Sequence, residues 1–150
     1  MLKRLSALLS IFFLFATAFA EKFHIQSDKL NAEKDKVVYV GHVVVTTETG
    51  KRLKCDKLVV FLDKNGKVEK IMAVGHVLYT DKKLKAMGNK ALYYPKTKVI
   101  VLEGNAVIVS NRGVIKGERI VYNLQTGSVD VKSHRRVQSV IDIDRPSNGK

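Results

Sequence analysis

Beyond residue 20 the apolar and polar positions alternate with a period of two, and no segment carries a sustained helical stripe. The runs Val37–Thr47, Leu58–Leu62, Lys70–Thr80, Ala91–Tyr94, Val99–Val109, Ile115–Tyr122 and Ser128–Val131 are rich in Val, Ile, Leu and Tyr, as strands prefer. Turn residues separate them, among them Thr49-Gly50, Asp63-Lys64-Asn65-Gly66, Asn111-Arg112-Gly113 and Gln125-Thr126-Gly127. Glu21 to Leu30 adds one more strand, and a weaker alternation runs from Ser133 through Val137, Val140, Ile141 and Ile143. The pattern predicts an all-β domain.

The strands repeat. Gly41-His42-Val43 returns as Gly75-His76-Val77 and as Gly104-Asn105-Ala106. Between these copies lies an acid or amide, then a base, then an apolar residue: Asp28-Lys29-Leu30, Asp56-Lys57-Leu58, Asn89-Lys90-Ala91 and Glu118-Arg119-Ile120. The cassettes recur after 28, 33 and 29 residues and the glycines after 34 and 29. Such a period marks stacked units, each unable to bury its apolar face alone.

Counting by twos through each glycine selects one face. It carries Val37, Tyr39, Val43 and Val45, then Ile71, Ala73, Val77 and Tyr79, then Ile100, Leu102, Ala106 and Ile108. Alternation of side chains across a strand turns this set inward and turns His42, His76, Asn105, Glu103, Thr46 and Thr80 outward or towards a neighbour. In the intervening strands the apolar phase slips after the acid–base pair, from Leu53 and Cys55 to Leu58 and Val60. A β-bulge at the cassette accounts for the slip, so the cassettes are expected to mark bends. An inward face of this kind is either a sealed core or a trough for apolar ligand.

The amino terminus has export architecture. Lys3 and Arg4 precede the apolar stretch Leu5 to Phe19, and Ala18-Phe19-Ala20 offers a cleavage site after Ala20. The apolar stretch is shorter than the ~20 residues of a spanning helix. Removal of residues 1–20 takes two bases and no acid, and the net charge falls from +13 to +11. A basic exported protein favours anionic partners such as phosphorylated lipids, acidic glycans or membrane surfaces. The one cysteine, Cys55, has no internal partner and fits a buried apolar position.

Catalytic signatures do not occur: no Gly-x-Ser-x-Gly, His-Glu-x-x-His, P-loop or paired-cysteine spacing. His42 and His76 hold equivalent repeat positions, but no third metal ligand accompanies them. Asp28, Asp56 and Glu118 are each followed by Lys or Arg, which predicts a ladder of solvated ion pairs rather than an acid dyad.

Ile25-Gln26-Ser27-Asp28-Lys29-Leu30, then Val40-Gly41-His42-Val43-Val44-Val45, then Leu53-Lys54-Cys55-Asp56-Lys57-Leu58 resembles the OstA/LptA-like domain of lipopolysaccharide transport. That family alternates an apolar-x-Ser/Ala-Asp opening with Gly-Asn-Val strands. Here Asn appears only in Gly104-Asn105-Ala106, with His in the other two copies. The resemblance covers Phe23 to Val131. It implies a twisted, V-shaped, open antiparallel β-jelly roll over 21–144, after a signal peptide at 1–20 and before a frayed tail at 145–150.

The function it implies is that of a non-enzymatic periplasmic bridge without a cofactor. Lipid A acyl chains of lipopolysaccharide would ride in a groove lined by the inward set. The expected partners are inner-membrane LptC-like and outer-membrane LptD-like proteins, joined by edge-strand pairing, with head-to-tail homo-oligomers and no nucleic acid. The alternatives are a membrane-anchored LptC-like sister component and a secreted basic module for polyanions or acidic glycans.

Overall fold

The computed structural model describes residues 23–141; the expected signal peptide, Ile143 and the 145–150 tail lie outside the described residues. Ten strands follow one another: β1 Phe23–Gln26, β2 Lys29–Ala32, β3 Lys36–Thr47, β4 Arg52–Leu62, β5 Val68–Thr80, β6 Leu84–Tyr94, β7 Val99–Ser110, β8 Gly113–Asn123, β9 Val129–Lys132 and β10 Gln138–Ile141. All pair antiparallel in a single open sheet, and consecutive long strands are neighbours. β1 and β2 pair with opposite halves of β3 at one edge, and β10 and β9 pair with opposite halves of β8 at the other. The strand expected over Glu21 to Leu30 is therefore broken at Ser27-Asp28.

Every long pairing slips at the same level. Gly41-His42 lies opposite Asp56, Gly75-His76 opposite Asn89, and Gly104-Asn105 opposite Glu118, two residues against one each time. Both residues of each pair have positive φ: 84° and 47° at Gly41-His42, 82° and 48° at Gly75-His76, 76° and 48° at Gly104-Asn105. Glycine reaches this region freely and a residue with a side chain reaches it at some cost. The bulge thus sits where the phase slip indicated, but its extra residue belongs to the glycine strand. Only the first cassette, at Asp28, lies between strands; the other three fall in the middle of β4, β6 and β8 and are not bends between strands. Aligned bulges bend each strand at one line and crease the whole sheet along it.

Apolar clusters on the inner face span that crease. Val43, Cys55 and Val77 from one side pack with Leu58 and Ala73 from the other. Ala86 and Ala106 meet Leu102 and Ile120 in the same way. A third cluster, Val37, Val60 and Leu62, lies wholly on one side. Among the described residues Ile120 and Val43 are the largest fully buried side chains, at 0% and 1% exposure. The fold is all-β, as the alternation predicts, and an open antiparallel sheet, as the family resemblance implies.

The outward face is more apolar than the simple alternation implies. Val38, Val59, Met72, Leu92, Val101 and Val121 form an in-register outward row, and Val59 and Val101 are only 4% exposed. The rows beside it carry Lys57, Lys90 and Lys70, and Lys70 Nζ lies 4.6 Å from the centre of the Phe61 ring. Lysine stems suit this position, since their methylenes lie along apolar surface while the ammonium stays hydrated.

Candidate functional site

The inward face carries two apolar rows running across the strands. Tyr39, Leu58, Ala73, Ala91, Leu102, Ile120 and Val131 stand in register from β3 to β9 on one side of the crease. On the other side Val45, Leu53, Tyr79, Ala86, Ile108 and Ile115 do the same from β3 to β8. Seven strands at ~4.8 Å separation give the longer row a span of about 29 Å. Both ends are open, because the sheet does not close.

Of the inward set, Val37, Val43, Ala73, Val77, Leu102 and Ala106 are buried, and Tyr39, Val45, Ile71, Tyr79 and Ile108 pack half-buried against the clusters. Ile100 is half-buried on the same face between Tyr93 and Tyr122. The even strands contribute as much as the odd ones: Leu53, Cys55, Leu58, Ala86 and Ile120 complete the same surface. The phase slip at each cassette is the signal that places them there. Burial pushes the phenols of Tyr39 and Tyr93 up from 10.0, which keeps them neutral at physiological pH.

The crease carries polar groups on its outward side, in the order Asp28, His42, Asp56, His76, Asn89, Asn105, Glu118. His42 Nδ1 lies 2.7 Å from Asp28 Oδ2, and His76 Nδ1 lies 2.7 Å from Asp56 Oδ2. His134 Nε2 continues the series at 3.3 Å from Glu118 Oε2. Asp28 and Asp56 therefore pair with the bulge histidines, and Glu118 with His134 beyond β9, rather than with the bases that follow them. The hydrogen bond and the charge of Asp28 both raise the His42 pKa above 6.5. Asp28, Asp56 and Asn89 also lie directly over Gly41, Gly75 and Gly104, where a Cβ would collide with them. Among the described residues no group of three or more His, Cys, Asp or Glu could hold a metal ion.

Cys55 is buried and unpaired, with its thiol pushed up to about 11 by burial and by the Asp56 carboxylate. It is a packing residue, not a nucleophile.

Residues 24–128 match the model of the LptA/(LptD N-terminal domain) LPS transport protein family. The chain belongs to this family. The lipopolysaccharide export system protein LptH of Pseudomonas aeruginosa is 29% identical over 135 residues, covering 84% of this chain and 75% of that protein. The crystal structure of LptH, described as the LptA-homologous periplasmic component of the lipopolysaccharide transport device from the same organism, superposes with a TM-score of 0.70 at 26% identity. The superposition covers 80% of this chain and 94% of that one. These relatives are lipopolysaccharide transport proteins.

Proposed function

We propose that this chain carries lipopolysaccharide across the periplasm, with the acyl chains laid in the trough and the polar part kept outside it. The observation that carries the reading is the inward face, apolar from β3 to β9 and open at both edges. Each methylene transferred from water into such a face contributes about 0.8 kcal/mol, so several acyl chains need a long trough and not a small pocket. No chemistry on the cargo is required, and the protein acts as a carrier and not as an enzyme.

The inward residues Tyr39, Val43, Val77, Tyr79, Leu102, Ala106 and Ile108 are the proposed lipid contacts, with Val37, Val45, Ile71, Ala73 and Ile100 completing the lining. Photocrosslinking groups at Tyr39, Val43 or Leu102 are expected to capture lipopolysaccharide in cells, and a group at Val44 on the outward phase is not. Capture from Val44 alone would overturn the assignment. Binding through the trough should also persist in high salt, whereas a polyanion-binding module would lose its ligand.

The open edges support end-to-end assembly. Val140 and Ile141 of β10 are 70% and 66% exposed, and Leu30 of β2 is 56% exposed. Unpaired strand edges with apolar side chains are templates for strand addition, from a second copy or from inner- and outer-membrane components of the same fold. Val140→Lys is expected to abolish concentration-dependent growth in light scattering while leaving the monomer folded. The 1–20 segment supports export and cleavage after Ala20, for which the mature amino-terminal sequence is the test; retention would place the chain with the membrane-anchored sister.

A further inference from the structure

The crease is charged at three of its four cassettes and neutral at one. Asp28, Asp56 and Glu118 each hold a histidine, whereas the third step sets Asn89 beside Asn105. Among the described residues neither carboxamide has a side-chain hydrogen-bond partner. A hollow of about 310 Å³ opens at this step on the outward face, bordered by His76, Leu78, Lys85, Met87, Asn89 and Asn105.

The surroundings of the hollow are basic. Lys54, Leu78, Met87, Val107 and Lys116 stand in register across β4 to β8, and Arg52, Thr80, Lys85, Val109 and Val114 form the next row. No acid occurs in either row; at the crease, Asp56 is bonded to His76 and Glu118 lies opposite Gly104-Asn105, each carboxylate paired with a histidine. His76 uses Nδ1 for Asp56, and its ring is 91% exposed, so Nε2 is available to a ligand. Leu78 and Met87 supply an apolar floor, the two carboxamides supply paired donors and acceptors, and Lys85 supplies the charge.

We infer that this hollow is a second binding site, on the face opposite the lipid trough, for an anionic saccharide. A sugar ring presents hydroxyls to carboxamides and a C–H face to Leu78 and Met87. Its phosphate or carboxylate meets Lys85 within a patch flanked by Lys54 and Lys116. The acid-to-amide exchange at Asn89 is what admits the anion: an aspartate there would place like charge against it. Only Val77 borders both the hollow and the proposed lipid contacts, so a carrier with no acyl-chain binding would keep the site and a carrier without it could still hold lipid.

Glucosamine 1-phosphate, which has no acyl chain, is the probe, titrated into the ¹⁵N-labelled mature chain with glucosamine and inorganic phosphate in parallel. The expected result is saturable shifts at Leu78, Gly88, Asn89 and Asn105, weakened at least tenfold by Asn89→Asp and by Lys85→Gln. The fold accepts the first substitution, since Asp28 and Asp56 occupy the same place over Gly41 and Gly75. Unchanged shifts away from the hollow establish that each variant is folded. Lack of saturable shifts at the hollow overturns the site. Equal affinity for inorganic phosphate overturns the saccharide, equal affinity for glucosamine overturns the anion, and an unweakened Asn89→Asp overturns the role of the neutral step.

Discussion

Replacement of Gly75 by alanine tests the crease. Gly75 has φ of 82° and sits beneath the Asp56 carboxyl group, which a Cβ would strike. The left-handed conformation costs a residue with a Cβ about 1–2 kcal/mol. Loss of unfolded-chain freedom on going from Gly to Ala offsets about 0.4–1 kcal/mol of this. Displacing Asp56 from its rotamer adds about 0.5–1.5 kcal/mol. The sum is a destabilisation of about 0.5–3 kcal/mol. The exposed His76–Asp56 pair is given no share, because solvent screens it.

Gly50→Ala separates the two causes. Gly50 has a similar φ of 88° but nothing within 4 Å of the added carbon, so it pays the conformational cost alone. Urea unfolding should place Gly75→Ala below Gly50→Ala by about 0.5–1.5 kcal/mol, which at m values of about 1–3 kcal/mol/M is a readable midpoint difference. Adding Asp56→Ala to Gly75→Ala should recover that increment, as a double-mutant cycle requires of a direct contact. If Gly75→Ala unfolds at the same urea concentration as Gly50→Ala, the packing of acid on glycine contributes nothing and the reasoning fails.

Other outcomes follow from single groups. The Asp28 hydrogen bond and charge raise His42 above 6.5, so their stabilisation is complete below the unfolded value and disappears as pH rises through the folded one. NMR titration should find the His42 midpoint lowered by Asp28→Asn, and an unchanged midpoint would remove Asp28 as the cause. Burial pushes Asp81 up, but hydrogen bonds from the Lys83 and Leu84 amides and the Tyr79 hydroxyl outweigh it and hold the carboxyl below 3.8. Its stabilisation is therefore present above 3.8 and lost as pH falls through the depressed value, and Asp81→Ala should flatten the acid limb of a stability–pH curve. Cys55, buried with its thiol raised to about 11, should resist maleimide in native protein and react only after unfolding; labelling at the rate of a free thiol would contradict its burial. Ile120→Ala removes a side chain with 0% exposure at the centre of a cluster and should cost about 2–5 kcal/mol in urea unfolding.

The inward phase of the odd strands was legible because their glycines preserve the count of two: Val37, Tyr39, Val43 and Val45 point the same way on either side of Gly41. The even strands break that count between Cys55 and Leu58, and the break reveals a bulge without saying which strand donates the extra residue. Positive φ at His42, His76 and Asn105 answers that; histidine and asparagine are enriched in this region, but too weakly to mark these positions from sequence. The outward pairing was not legible for a related reason. Adjacent Asp56-Lys57 suggests a local ion pair, whereas antiparallel registry brings Asp56 to His76, twenty residues away. The apolar outward row through Val59 and Val101 escaped the simple alternation because its burial depends on flanking strands.

The crease also reconciles an open sheet with an apolar interior. An open sheet of this length gains stability only if its apolar side chains find one another across the fold, and no disulfide is available to hold the halves together. Aligned bulges bring the halves together with a backbone device repeated in β3, β5 and β7, while the cassettes face polar groups outward at the same level. Because the bend is built into each strand, the trough continues from edge to edge without a loop crossing it. A protein added at either edge in the same register would prolong both the crease and the trough. In the proposed end-to-end assembly, continuity of the apolar surface would follow from the same residues that shape a single copy.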